Sequence, residues 1–184
     1  PSGLSSSAMT LLSTQTASSS ATIDFTSGID DTYDSYVFKF YDIHPATDNS
    51  NLGFQVNVNG QSGFNETVTS TFFSDYHTES DSTAGVNYHV DFDQAQGTAY
   101  QPLSRELGNG ADESTAGTLH LFNPSSTTFV KHFYSRFSGH VHDDAEKGSQ
   151  MAGYFNVTGA IDEISFKMSS GNIDSGVIKL YGIS

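Results

Sequence analysis

The densest run of ligand-type side chains is His140-Val141-His142-Asp143-Asp144. Histidines at i and i+2 of an extended strand project to one face, so both imidazoles can reach a single metal ion, with Asp143 as a third donor. The run follows Gly139 and precedes Ala145-Glu146-Lys147-Gly148, the marks of an exposed hairpin loop in which His and Asp are ordinary solvating residues. A solvated loop is therefore expected, with no metal and no cofactor. His140, His142 and Asp143 are the residues that would hold an ion were one bound. His89, His120 and His132 fall inside strand-like runs and are expected to be hydrogen-bonded strand histidines, responsive to pH at most.

Close carboxylates occur at Asp30-Asp31 with Asp34, at Asp91 with Asp93, and at Asp162-Glu163. Converging loops could turn such pairs into a general acid and base or a calcium site. With 21 acidic residues in the chain, close pairs arise without any role, and solvated surface is expected. The sequence carries no Gly-rich phosphate loop ending in Lys and Ser or Thr, no G-x-S-x-G elbow, no H-E-x-x-H and no EF-hand spacing. No catalytic residue is identified, and the chain is not expected to be an enzyme. Tyr33, Tyr36, Tyr41, Tyr76, Tyr88, Tyr100 and Tyr154 could include a sugar-stacking platform, but the lack of Trp weighs against it.

The elements that must position these residues are strands. Phe, Tyr, Val, Ile and Thr are plentiful, 17 glycines punctuate the chain and Trp is absent. Extended runs are expected at 21–25, 36–43, 52–58, 64–73, 86–92, 98–104, 118–122, 128–137, 150–157, 161–168 and 177–183, mostly bounded by Gly, Asn, Asp or Ser. Leu119 and Leu121 flank His120, Ile164, Phe166 and Met168 alternate with Ser165 and Lys167, and Phe129, Phe133 and Phe137 are interleaved with Lys131 and Ser135. Each strand is thus expected to bury one face and expose a polar one. Asn59-Gly60 is a hairpin signal between Val58 and Phe64. Residues 75–84 and 108–116 are acidic and polar, and predict surface loops that could carry recognition. About ten short strands without helical periodicity predict an all-β, antiparallel two-sheet β-sandwich, of jelly-roll type.

The chain has 184 residues, enough for one core. Seven basic against 21 acidic residues give a formal charge of −14, which opposes nucleic acid and anionic membranes as partners. With no cysteine, packing and hydrogen bonding must hold the fold. The opening residues lack the basic start and apolar run of a secretory signal, and no segment has the length of a membrane helix, so a soluble chain is expected. Pro1 is the kind of residue left when an initiator Met is removed, which predicts a complete gene product. Residues 1–20 are rich in Ser, Thr and Ala and read as an N-terminal arm preceding a domain over 21–184. Met9, Leu11 and Leu12 form its apolar patch, expected to dock on a neighbouring subunit or to pair as an edge strand, and removal of the arm is expected to leave the sandwich folded.

The stretches LLSTQTASSSATIDFTSGIDDTYDSYVFKFYDIHPATD, DQAQGTAYQPLS, LGNGADES, GTLHLFNPSSTTFVKHFY and MAGYFNVTGAIDEISFKMSSGNIDSGVIKLYGIS resemble short virion proteins of marine tailed bacteriophages, of decoration or fibre type. The resemblance spans essentially the whole chain and carries no active-site motif. It implies a structural virion protein: a capsid decoration (cement) protein, located on the capsid surface or tail. Its partners would be its own subunits, as a homotrimer, and the major capsid protein or another virion protein, without nucleic acid or membrane. The alternative is a tail fibre or receptor-binding tip that contacts a host glycan or protein.

Overall fold

In the computed structural model, which describes residues 9–184, period-two burial is cleanest over Lys131–Val141, whereas Ser50–Val58 is buried on both faces and Ser165 is buried between Ile164 and Phe166, so the expected polar outer face is missing there. Among the described residues thirteen strands follow in order: β1 (Thr10–Ser20), β2 (Ile23–Phe25), β3 (Ser35–Pro45), β4 (Ser50–Val58), β5 (Val68–Thr78), β6 (Ala84–Tyr88), β7 (Gln94–Gly97), β8 (Gln101–Leu107), β9 (Thr115–Phe122), β10 (Lys131–Val141), β11 (Ala145–Phe155), β12 (Ile161–Met168) and β13 (Ile173–Ile183). Every pairing is antiparallel. There is no helix among the described residues. The all-β antiparallel class expected from the sequence is therefore the class observed.

The larger layer runs β1-β13-β3-β9-β10-β11-β5, with β6 and β7 pairing separate halves of β5. The smaller runs β8-β4-β12-β2. A single residue pair, Val141 with Leu107, joins β10 to β8. The chain crosses from one layer to the other between β1 and β2, so the hydrogen-bonded sheet folds over its own core and approaches a closed barrel. Rings interlock between the layers. Phe166 of β12 meets Phe38 and Phe40 of β3 at 5.4 and 5.1 Å, and Phe54 of β4 meets Phe133 of β10 at 5.2 Å. Edge-to-face contacts of this kind let bulky rings fill the space without stacking clashes.

Four expectations need correction. Residues 10–20 belong to the domain rather than preceding it, and of the two expectations for the arm, pairing as an edge strand is the one realised among the described residues: β1 pairs with β13 from Thr10 to Ser20, buries Ala17, and sets Leu12 against the core, while Leu11 stays half exposed. A segment made largely of Ser and Thr suffices there because the strand gains its ladder from the edge of β13. The remainder of the expected arm, 1–8, lies outside the described residues. Asn59-Gly60 does form a turn, with Gly60 at φ 79° and Gln61 N donating to Val58 O at 2.8 Å, but β4 and β5 do not pair. Side chains take the place of a strand partner: Phe64 N donates to Asn57 Oδ1 at 2.7 Å and Val58 N to Glu66 Oε1 at 3.1 Å. The expected loop at 75–84 is strand at both ends, with only 79–83 turning between β5 and β6.

Lys131 is the fourth. Residues two apart share a face, so Lys131 and Ser135 enter the core with Phe133 and Phe137 rather than opposing them. The Lys131 ammonium is accommodated by donating to Phe129 O at 2.8 Å and Val157 O at 3.3 Å, and burial pushes its pKa down.

Candidate functional site

The β10–β11 hairpin closes through a three-residue turn, His142 to Asp144, between the paired Val141 and Ala145. Asp144 takes the left-handed conformation at φ 52° that such loops require, and its N–H donates to Val141 O at 3.2 Å. The strand ends at Val141, so the alternation that would place His140 and His142 together stops there. His142 lines a depression with Arg105 and Lys147, whereas His140 lines another with Glu79 and Glu146. Asp143 binds the Lys147 ammonium at 3.1 Å. Burial alone would raise the Asp143 pKa, but the hydrogen bond and charge of Lys147 outweigh it and hold the carboxyl below its usual range.

His140 instead meets residues that sequence spacing does not connect. Donor atoms of Glu113, His140 and Asp144 lie within 4.8 Å of one another. Glu79 lies beside the imidazole but outside that group of three, its Oε1 3.4 Å from His140 Nε2. Backbone hydrogen bonds fix the frame: His140 N donates to Ser114 O at 3.0 Å and Glu79 N to Asp144 O at 2.9 Å. The carbonyl of Glu113 accepts from His44 Nδ1 at 2.6 Å, and its carboxylate accepts from Gly110 N–H. A Cβ on Gly108 or Gly110 would overlap that carboxylate, so the two glycines let Glu113 fold back over its own loop. The four groups come from the β5–β6 turn, the 108–114 loop, β10 and the β10–β11 turn.

On the opposite side of the hairpin, Glu106 bridges two buried cations. Arg105 Nη1 lies 2.8 Å from its Oε1 and Lys147 Nζ 2.6 Å from its Oε2, with both basic side chains only 8% exposed. Each cation has a carboxylate, which is the condition for burying it. Of the paired acids, Asp30, Asp31 and Asp162 border one depression. Hydrogen bonds from Thr32 lower the Asp30 pKa, and burial with the Glu163 charge raises that of Asp162. The Oδ1 of Asp30 already holds a turn, accepting from Thr32 N at 2.8 Å and from the Tyr36 hydroxyl at 3.0 Å. Burial pushes that tyrosine up to about 12. Glu163 is likewise engaged, by Asn57 Nδ2 at 2.7 Å.

The outer face of the larger layer is aromatic. Its rows follow from register: His120 opposes Tyr134, His132 opposes Tyr154, and Phe73 opposes Tyr88. The rings of His120 and Tyr134 stack at 4.4 Å and 12°. Phe122, Tyr134, Phe73 and Tyr88 remain 39, 43, 45 and 46% exposed, and a shallow depression of about 490 Å³ runs over Phe122, His132, Tyr134 and Tyr154. No family model, curated protein or solved structure matches the chain.

Proposed function

We propose that this chain is a structural protein of a bacteriophage particle, a capsid decoration protein that attaches as a homotrimer to the shell. The aromatic outer face of β9, β10, β11 and β5 carries this reading. Exposed Phe122 and Tyr134 line one depression with His132 and Tyr154; an exposed apolar depression of this kind suits a partner subunit, and Tyr and Phe are typical interface anchors. Among the described residues β1 has a strand partner, β13, on one side only, and its other edge, largely Ser and Thr, offers a second attachment. The resemblance to virion proteins of marine tailed phages points the same way. On a repeating lattice many weak contacts suffice, because copies held side by side raise one another's effective concentration.

A tail fibre or receptor-binding tip is the second reading. It is favoured by one feature of the same face, the rings of Tyr134 and Tyr154 lining one depression, a combination suited to a sugar ring. Quantitative mass spectrometry of purified particles, with antibody labelling, separates the two. Hundreds of copies on the head are expected for decoration, a few to tens at the tail for the fibre, and absence from particles rejects both.

A further inference from the structure

We propose that Glu113, His140 and Asp144, with Glu79 as a fourth donor, bind a divalent ion of the zinc type that ties together the loops at one end of the sandwich. The donor set is one imidazole nitrogen and three carboxylates from four separate segments, with three of the donor atoms inside 4.8 Å. His140 Nε2 is shut off from solvent and has no hydrogen-bond partner, although it lies beside Glu79. A buried polar nitrogen without a partner is destabilising, and coordination would remove that penalty.

Charge adds an independent argument. Among the described residues, no Lys or Arg lies within ion-pair distance of Glu79, Glu113 or Asp144, while the Lys147 and Arg105 cations are taken by Glu106 and Asp143. The carboxylates of Glu113 and Asp144, with Glu79 beside the imidazole, therefore surround His140 with no cation among them, in a chain whose net charge is −14. A dication supplies what the protein does not.

The identity of the ion follows from the donors. Imidazole with carboxylate suits zinc and its first-row neighbours, whereas calcium takes oxygen donors and needs six or more of them. A tetrahedron with bonds of ~2.1 Å has edges of ~3.4 Å. The exposed side chains of Asp144 and Glu79 can close the remaining distance by rotation, while His140 and the folded-back Glu113 are held by the backbone bonds described above. Because the chain has no cysteine, such an ion would be its one covalent-like cross-link between the β5–β6 turn, the 108–114 loop and the β10–β11 hairpin.

The test is calorimetric titration of the metal-stripped full chain with Zn²⁺, with thermal unfolding in parallel. The proposal expects one His140-dependent ion per chain, a higher unfolding midpoint at saturating Zn²⁺, and no comparable shift with Ca²⁺. H140A and D144N should each weaken that binding at least tenfold, and H142A should leave it unchanged. E113Q, a near-isosteric change, keeps the test valid should H140A fail to fold. Absence of Zn²⁺ binding, stronger stabilisation by Ca²⁺ than by Zn²⁺, or equal losses in H142A and H140A would overturn the assignment.

Discussion

Replacing Phe166 by Ala should remove the wedge that holds the two layers apart and together. Its side chain is fully buried on β12 and meets Phe25, Phe38, Phe40 and Phe54 at centroid distances of 6.2, 5.4, 5.1 and 6.5 Å. Withdrawing about 150 Å² of ring surface at about 25 cal/mol per Å² corresponds to ~4 kcal/mol. The neighbours are themselves rings fixed in strands, so the cavity cannot collapse, and the loss should sit within the ~3–5 kcal/mol typical of Phe→Ala. For a domain of this length that lowers the unfolding midpoint by roughly 8–16 °C. Urea unfolding followed by tyrosine fluorescence measures it, with Phe129→Ala, at an exposed ring, as a control expected to change stability by less than about 0.5 kcal/mol. A loss below about 1.5 kcal/mol for Phe166→Ala would mean that this ring does not bridge the layers.

Burial, aided by Arg105 at His89 and by Lys39 at His120, holds both imidazoles below the usual histidine value. The folded chain then binds fewer protons than the unfolded chain as pH falls through about 6.5, so stability should drop from there down to the lower folded pKa values. Urea midpoints between pH 8 and pH 5 test this, and His120→Gln should flatten the slope. Gly176→Ala should cost about 1–3 kcal/mol by the same assay, since φ is 122° and a Cβ would lie 2.7 Å from Asp42 O. Gly60→Ala, at φ 79° with nothing within 4 Å, should cost about 1 kcal/mol. Glu106→Gln leaves two buried cations short of one charge and should destabilise by about 3 kcal/mol. A neutral result would show that Asp143 and solvent neutralise them instead.

Strand periodicity was legible wherever apolar residues alternate with polar ones, as in β12, whose bounds Ile161–Met168 match the expected run. It faded where polar residues form strands: β1 is mostly Ser and Thr, and its pairing depends on the distant edge of β13. Turn chemistry at Asn59-Gly60 was readable as a turn, but which strands pair is decided by long-range register, and here β5 is claimed by β11. The His140–Asp144 run was visible as a concentration of ligands. Its true neighbours were not, because Glu79 and Glu113 arrive from loops far along the chain. Gly108 and Gly110 beside Glu113 were the only local hint. The aromatic face was half visible, since alternation in β9 and β10 places His120, Phe122, His132 and Tyr134 opposite the buried Leu and Phe.

The most direct measurement is saturation binding of the purified chain to phage particles depleted of it, comparing wild type with the Phe122→Asp/Tyr134→Asp double variant. The account expects saturable binding at hundreds of copies for wild type and its loss in the variant, with both proteins equally folded. Equal binding by the two, or no binding by either, would contradict attachment through the aromatic face.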